Sequence, residues 1–199
     1  MSPKPDVSET RKNQILEAAV KVFTRMGFHD ARMDDIVQES GLSKGALYWY
    51  FKGKDDVIMA ILKNIFEGEL KGLKALQVKE APAPDLLREF MQLTIGELKN
   101  MTRLLPLAYE FYALAFRNKT VREAIRQYLQ AYIDLITSLI QRGIDEGTFH
   151  TVNAEEMAIS IGAMIEGTLV LWVFDPDRVD LERQLSHSLG IFIENLEEN

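Results

Sequence analysis

The sequence of 199 residues contains no cysteine, which excludes disulfide bridges and thiolate metal sites. Its three histidines, His29, His150 and His187, lie far apart along the chain and form no local metal-ligand motif. The sequence also shows no glycine-rich phosphate loop and no pairing of a nucleophile with a base. We therefore expect neither a metal nor a cofactor, and we do not expect an enzyme.

Long uninterrupted hydrophobic runs are missing as well. The longest apolar stretch, residues 158–174, is interrupted by Ser160, Gly162, Glu166 and Gly167. It falls short of the roughly 20 apolar residues that a membrane-spanning helix needs. The N-terminus carries no apolar segment followed by a cleavage site. We expect a cytoplasmic protein with no membrane partner.

The strict alternation of apolar and polar residues that marks β-strands is absent. Apolar residues recur instead at spacings of three and four almost throughout, so we predict an all-α fold of about nine helices. Gly27 and Gly147 are predicted to end the first and seventh helices. The segments 120–123 and 153–156 are predicted to cap the seventh and eighth helices at their N-termini.

The charge of the chain is unevenly distributed. The net charge of −7 argues against a protein that coats nucleic acid indiscriminately. Residues 1–56 hold nine Lys/Arg and nine Asp/Glu, so the rest of the chain carries the whole negative charge. A neutral N-terminal part beside an acidic body is typical of a protein that touches a polyanion at one end only.

The stretch GLSKGALYWYFKGK, residues 41–54, carries the most specific pattern. A three-residue turn, 41–43, contains glycine, and Ser43 is placed to cap the next helix by accepting the amide of Ala46. Two short helices joined by such a turn form a helix-turn-helix motif. The second of them, here 44 to about 51, is the element that enters the major groove of DNA.

This stretch and the helix before it resemble the TetR family of transcriptional regulators over roughly residues 9–60. The matching residues are Arg11, Ile15, Ala18, Ala19, Phe23, Gly27, Phe28, Asp35, Ile36 and the whole of 41–54. The resemblance implies a helix-turn-helix DNA-binding domain over 1–53, a connecting helix over 54–76, and a ligand-binding and dimerisation domain over 77–199. It also implies that the unbound form represses and that a ligand releases it from DNA.

Some residues of the predicted recognition helix are expected to contact bases, and others are expected to contact phosphates. Lys44 reaches base edges such as guanine O6 and N7, Gly45 permits close backbone approach, and Ala46 meets a thymine methyl. The hydroxyl and indole N–H groups of three successive aromatic residues, Tyr48, Trp49 and Tyr50, are expected to donate hydrogen bonds to the phosphates that flank the groove. A core position is the alternative for these aromatics. Because Leu47 and Phe51 already occupy inward positions, only Tyr50 is expected to be partly buried.

Two further cations are predicted to contact DNA. Lys54, in the first turn of the fourth helix, is expected to bind a phosphate together with free helix amides. Arg32 stands where the family usually has a hydroxyl residue that caps the second helix, and it is predicted to bind a phosphate or lie toward the minor groove. Asp34 and Asp35 complement the helix dipole there and partly replace the cap.

Specific reading of DNA by this motif requires two copies about 34–36 Å apart, on a palindrome of double-stranded DNA. Small residues on the eighth helix and an apolar stripe on the ninth predict an isologous four-helix homodimer interface. Its predicted residues are Ser160, Ala163, Gly167, Leu181, Leu185, Leu189 and Phe192. The alternative is that these stripes pack within their own subunit.

The fifth to eighth helices are apolar over more of their surface than a small bundle requires. The residues predicted to line a ligand pocket are Met91, Ile95, Phe111, Tyr112, Tyr128, Tyr132, Glu166 and Trp172. Ordinary core packing is the alternative for each aromatic and aliphatic residue. Glu166 lies in an apolar segment and needs a partner, and both a cationic ligand and an arginine across the dimer remain open.

Together these patterns predict a repressor that binds a palindromic operator as a homodimer and is released by an apolar or aromatic small molecule. The alternative is a ligand-independent architectural or protein-interaction module on DNA. The two differ in whether the fifth to eighth helices enclose a cavity.

Overall fold

A computed structural model describes the backbone of residues 7–101 and 105–197, and their side chains other than those of 7, 69, 99–101, 105 and 106. The described residues form nine helices and no strand, which confirms the predicted all-α fold. The helices are α1 (Val7–Asp30), α2 (Met33–Ser40), α3 (Lys44–Tyr50), α4 (Lys54–Gln77), α5 (Ala83–Met101), α6 (Leu105–Ala115), α7 (Lys119–Asp145), α8 (Ala154–Phe174) and α9 (Leu181–Glu197).

The described residues divide into two compact units, one of 7–66 and 105–125 and the other of 67–101 and 126–197. The helices α4 and α7 contribute residues to both units. The first unit therefore extends beyond the predicted domain of residues 1–53. The reason is burial, because Leu107, Phe111, Val121 and Ile125 belong to the same apolar cluster as the helix-turn-helix residues.

Most helix ends follow from the local sequence. Gly27, with φ 75° and ψ 165°, interrupts α1, and Gly147, with φ 71°, follows α7. Asn153 caps α8, as predicted, by accepting the amide of Glu156 at 3.2 Å. The predicted cap of α7 at Thr120 was wrong: Asn118 Oδ1 accepts the amide of Thr120 at 2.9 Å, because asparagine is an equally good cap. The sequence also predicts that the sixth helix starts near residue 103, which lies outside the described residues.

The connection between α4 and α5 is held by two charged side chains at the end of α7. The Arg142 guanidinium donates to the carbonyls of Lys79 at 3.0 Å and Ala81 at 2.8 Å, and to Glu146 Oε1 at 2.6 Å. Glu146 Oε2 accepts the amide of Ala83, the first residue of α5, at 3.0 Å. The hydrogen bond from Arg142, and then that from Ala83, lower the pKa of Glu146 below its ordinary value.

Gly143 of α7 lies where the backbone meets the ring of Phe149. A Cβ built on Gly143 would lie 2.0 Å from Cδ2 of Phe149, which is buried. The carbonyl of Gly143 also accepts the amides of Thr148 at 2.9 Å and Phe149 at 3.0 Å, which fixes the turn against the helix. The ring of Phe149 is held in place by burial and the backbone of 148–149 by these hydrogen bonds, so neither can easily move away from Gly143.

We expect Gly143→Ala to lower the free energy of unfolding by about 1–3 kcal/mol, because the added methyl overpacks a closed site. The matched control is Gly72→Ala in α4, where an added Cβ meets no atom within 4 Å. There the change should raise the free energy of unfolding by about 0.5–1 kcal/mol. Urea unfolding of both variants measures the difference, and equal effects would contradict the packing at Gly143.

Candidate DNA interface and effector cavity

The turn before α3 is built as the sequence predicts. Ser43 has an extended backbone, with φ −69° and ψ 151°, and its hydroxyl accepts the amide of Ala46 at 3.2 Å. Gln14 of α1 donates to the carbonyl of Ser40, the last residue of α2, at 2.8 Å. Leu47 is fully buried in the core of the first unit. These contacts fix both the start of α3 and the face that it turns inward.

The outward face of α3 carries the residues that the sequence singled out. Lys44, Gly45, Tyr48 and Trp49 are exposed, whereas Ala46 and Tyr50 are half-buried. Trp49 is 74% exposed, which is unusual for so large an apolar side chain. Tyr50 packs against the core, and its ring centroid lies 4.6 Å from that of Trp49. The expectation that only Tyr50 is partly buried is confirmed; the roles of these residues on DNA stay predictions.

Lys44 is not isolated on this face. Its ammonium lies 2.7 Å from Asp34 Oδ1, in a largely exposed ion pair, and 5.9 Å from the ring centroid of Tyr48. The hydrogen bond that Lys44 donates to Asp34, together with the charge of Asp34, raises the pKa of Lys44 above its ordinary value. The sequence predicted that Asp34 complements the dipole of α2 and partly replaces its cap. It did not predict the ion pair with Lys44, because the partners lie ten residues apart on different helices.

The N-terminus of α2 is capped without a hydroxyl residue. The backbone amide of Arg32 donates to Asp35 Oδ2 at 2.8 Å. The guanidinium of Arg32 carries only hydrogen-bond donors, so it cannot accept a helix amide, and the side chain is exposed. The expectation that Asp35 partly replaces the cap is therefore confirmed. The Arg32 guanidinium is left for another contact, and its place on a phosphate or in the minor groove stays a prediction.

Lys54 has a structural role that the sequence did not predict. Its ammonium donates to the carbonyl of Phe28, to that of His29 at 3.2 Å and to that of Ala31 at 3.0 Å. Glu110 of α6 accepts the amide of Phe28 at 2.7 Å. Two charged side chains thus satisfy the backbone after Gly27. The phosphate contact predicted for Lys54 would require its ammonium to be shared with these carbonyls.

The second unit contains an apolar cavity of about 270 Å³ lined by α4, α5, α7 and α8. Of the residues predicted to line a pocket, Tyr128, Tyr132 and Glu166 do so. The lining residues that the sequence did not single out for this role include Leu73, Thr94, Glu97, Ile159 and Leu169. Thr94 and Glu97 were not predicted, because the prediction was based mainly on aromatic and large apolar side chains. Their spacing of three residues places them on one face of α5.

Five predicted pocket residues lie elsewhere. Phe111 and Tyr112 belong to the first unit, where Phe111 is buried in the core and Tyr112 packs against it. Trp172 lines a shallow depression beside the α8–α9 connection. Met91 and Ile95 are on α5 but are not among the residues that line the cavity. Ordinary packing, the alternative, holds for Phe111 and Ile95, which are buried. Helical periodicity does not distinguish a core face from a pocket face.

The predicted dimer stripe on α9 was wrong in its main residues. Leu181, Leu185 and Leu189 are buried within their own chain, where α9 packs against α5 and α8. Phe192 is half-buried. On α8, by contrast, Ser160, Ala163 and Gly167 are exposed as expected. Because the apolar stripe of α9 is buried against α5 and α8 of the same chain, it is not available to face a partner.

The exposed strip of α8 continues in large apolar side chains. Leu171 and Phe174 are exposed, and Ile191 is exposed on α9. Within the described helices, α8 is the one whose length and apolar composition fit a membrane span. That fit is weak evidence for insertion, because core helices of other proteins share it. Only 28% of its most apolar segment is buried in the chain, so the strip has the composition of a surface that is covered by another molecule.

Comparisons with known proteins cover almost the whole chain. Residues 15–61 match the family model described as bacterial regulatory proteins, tetR family, and residues 84–191 match that of the BetI-type transcriptional repressor, C-terminal. The HTH-type transcriptional regulator YfiR of Bacillus subtilis is 30% identical over 154 residues, which cover 76% of this chain and 75% of YfiR.

Two solved structures share the fold. A transcriptional regulator from Saccharomonospora viridis in complex with choline superposes with a TM-score of 0.83 at 23% identity, over 96% of this chain and all of the other. SmeT, the repressor of a Stenotrophomonas maltophilia multidrug efflux pump, superposes in its triclosan complex with a TM-score of 0.83 at 20% identity, over 96% and 93% of the two chains.

We expect Lys44→Ala to weaken binding to the cognate DNA sequence by about 1–3 kcal/mol and binding to random DNA by less, because a base contact carries sequence information. The matched control is Lys71→Ala, which removes an exposed lysine from α4 in the second unit. Fluorescence anisotropy with specific and random duplexes measures both affinities. Equal losses on the two duplexes would show that Lys44 contacts only phosphate.

We expect Gly45→Ala to separate stability from binding. A Cβ at this position meets no atom of the protein within 4 Å, so the variant should be as stable as the parent or more stable by up to about 1 kcal/mol. Its affinity for the cognate duplex should fall, because the methyl projects toward the groove. Thermal unfolding and anisotropy measure the two effects, and an unchanged affinity would contradict close approach at Gly45.

Proposed function

Because the chain belongs to the TetR family of transcriptional regulators, we propose that it is a cytoplasmic repressor that binds a palindromic operator as a homodimer and is released by a small-molecule effector. The family and the relatives are transcription regulators rather than enzymes. The observation that carries the proposal is that one chain combines an outward-facing recognition helix with an apolar cavity in its second unit.

The cavity supports the ligand-responsive proposal over its alternative. An architectural module without an effector would fill the space between α4, α5, α7 and α8 with its own side chains. Here about 270 Å³ is left unfilled, and most of the lining is apolar, as in pockets for small molecules. The two relatives were solved with choline and with triclosan, which differ in charge and shape, so the relatives do not select the effector.

The proposal that the effector acts on DNA binding has support in the chain's connectivity. Leu73 of α4 and Tyr128 of α7 line the cavity. The same two helices place Ile58 and Ile125 in the core of the unit that holds the recognition helix. A ligand that changes the position or order of α4 or α7 therefore acts on helices that also build the DNA-binding unit.

Repression and the homodimer rest on separate observations. The match of residues 84–191 to a repressor-type C-terminal domain supports repression. The homodimer is supported by the exposed apolar strip of α8, defined by Ala163, Gly167, Leu171 and Phe174, with Ile191 of α9. A self-complementary contact through this strip is the isologous interface that a palindromic site requires.

The proposal is tested by selecting duplexes from a random library with the full-length protein. We expect the selected sequences to share an inverted repeat, and native mass spectrometry of the complex to show an even number of chains on one duplex. Denaturing analysis of compounds that co-purify with the protein reports any ligand mass. Selection of a single asymmetric site by one chain would contradict the proposal.

The dimer surface generates a prediction with a closely matched control. Phe174 is 83% exposed in the α8 strip and Phe116, after α6, is 82% exposed outside it. We expect Phe174→Glu to raise the dimer dissociation constant by at least about tenfold, because it buries a charge in the contact. Phe116→Glu should leave it unchanged. Sedimentation at micromolar concentration measures both, and equal behaviour of the two variants would contradict the proposed interface.

A further inference from the structure

We propose that the cavity of the second unit binds a compact organic cation with an apolar or aromatic body. The term effector for this ligand rests on the function proposed above, whereas the binding of a cation rests on the cavity alone. Three features of the lining carry the inference: its apolar floor, its two carboxylates and its pair of tyrosine rings.

The floor of the cavity is apolar. Leu73, Ile165 and Leu169 line it and are almost fully buried. A fully hydrated inorganic ion or a highly polar metabolite would lose its water there without compensation. The part of the ligand that lies against these three side chains is therefore apolar.

The described residues that line the cavity carry only negative charge. Among the described residues that line the cavity, Glu97 and Glu166 are the charged ones, and neither Lys, Arg nor His is present. Glu97 is exposed and Glu166 is half-buried. Two carboxylates beside an apolar floor lower the potential in the cavity, and the half-buried Glu166 contributes more than the exposed Glu97, whose charge water screens. An anionic ligand is disfavoured by this field and a cationic one is favoured.

The tyrosines add ring surface near the same space. Tyr128 and Tyr132 stand one turn apart on α7, and their ring centroids are 6.1 Å apart with a tilt of 36°. The ring centroid of Phe90 lies 5.6 Å from that of Tyr132, and the hydroxyls of Thr94 and Tyr132 are 3.4 Å apart. These two contacts position Tyr132. Faces of tyrosine rings attract ammonium groups. Tyr128, Tyr132 and Glu166 also interact within the protein, so a bound cation would share them.

The volume limits the size of the ligand. A cavity of about 150 Å³ holds benzene, so the 270 Å³ found here corresponds to a ligand of about a dozen non-hydrogen atoms. A ring or short branched chain that carries one quaternary or protonated nitrogen fits that limit. A long acyl chain exceeds it.

Three probes of the same shape isolate the charge. Phenyltrimethylammonium, tert-butylbenzene and benzenesulfonate have the same number of non-hydrogen atoms and carry a positive, a zero and a negative charge. We expect isothermal titration of the full-length protein to show the cation binding roughly five- to tenfold more tightly than the neutral probe, and no binding of the anion. Binding of the neutral or anionic probe as tight as that of the cation, or no binding by any of the three, would overturn the proposal.

Variants of the carboxylates assign the effect to the cavity. Glu97→Gln and Glu166→Gln should each weaken binding of the cation about two- to threefold and leave binding of the neutral probe unchanged, and the double variant should bind both probes alike. The control is Glu194→Gln, the same charge change at an exposed site on α9 that does not line the cavity. A cation affinity that falls equally in Glu194→Gln and in the cavity variants would refute a local effect.

The same samples distinguish this inference from the proposed function. Each probe is added to the protein bound to a selected duplex, and anisotropy reports release. A cation that binds with the predicted preference but releases no DNA leaves the cavity inference standing and contradicts an effector role. Release of DNA by the neutral or anionic probe, without cation preference, supports the effector role and overturns the inference about charge.

Discussion

The burial of Leu47 determines how the DNA-binding unit presents its chemistry. In the seven residues of α3, one fully buried side chain sets the rotation of the helix about its axis. With Leu47 inward, the neighbouring positions 48 and 49 point away from the core, and the exposure of Trp49 is a consequence rather than a separate feature. Ser43 sets the start of the same helix, so rotation and register are both fixed by the protein before DNA is present.

Two of the cations predicted to contact DNA, Lys44 and Lys54, are paired within the protein. To contact a base, Lys44 would have to exchange Asp34 for it, and Lys54 would have to share its ammonium with three carbonyls. An exposed ion pair contributes about 0–1 kcal/mol, less than the about 1–3 kcal/mol of a good base contact. If Lys44 contacts a base as predicted, the exchange would be favourable on a correct base and close to neutral on a wrong one. Asp34 would then increase the difference in affinity between correct and wrong sequences.

Sequence predicted local features well and tertiary assignments poorly. The Ser43 and Asn153 caps and the glycine after α7 depend on a few neighbouring residues, and the structure has them where they were predicted. Gly27 interrupts α1 rather than ending it, because α1 continues to Asp30. The dimer stripe depended on an apolar repeat at Leu181, Leu185 and Leu189, and a repeat of that kind shows that a face is covered without showing by which helix. The pocket prediction failed for Phe111 and Trp172 for the same reason.

The helix α8 resolves this ambiguity because it is divided into three strips. Ala158 and Ile161 face the core, Gly162, Ile165 and Glu166 line the cavity, and Gly167 lies on the exposed strip. A Cβ on Gly162 would lie 3.1 Å from Ile133 Cδ1, so a side chain at this position would crowd Ile133. Because Ala163 belongs to both the cavity lining and the exposed strip, a ligand that displaces α8 by a fraction of an ångström also alters the surface proposed to meet the partner. Because the spacing of two recognition helices decides binding to a palindrome, the proposed effector would act on DNA affinity through that contact.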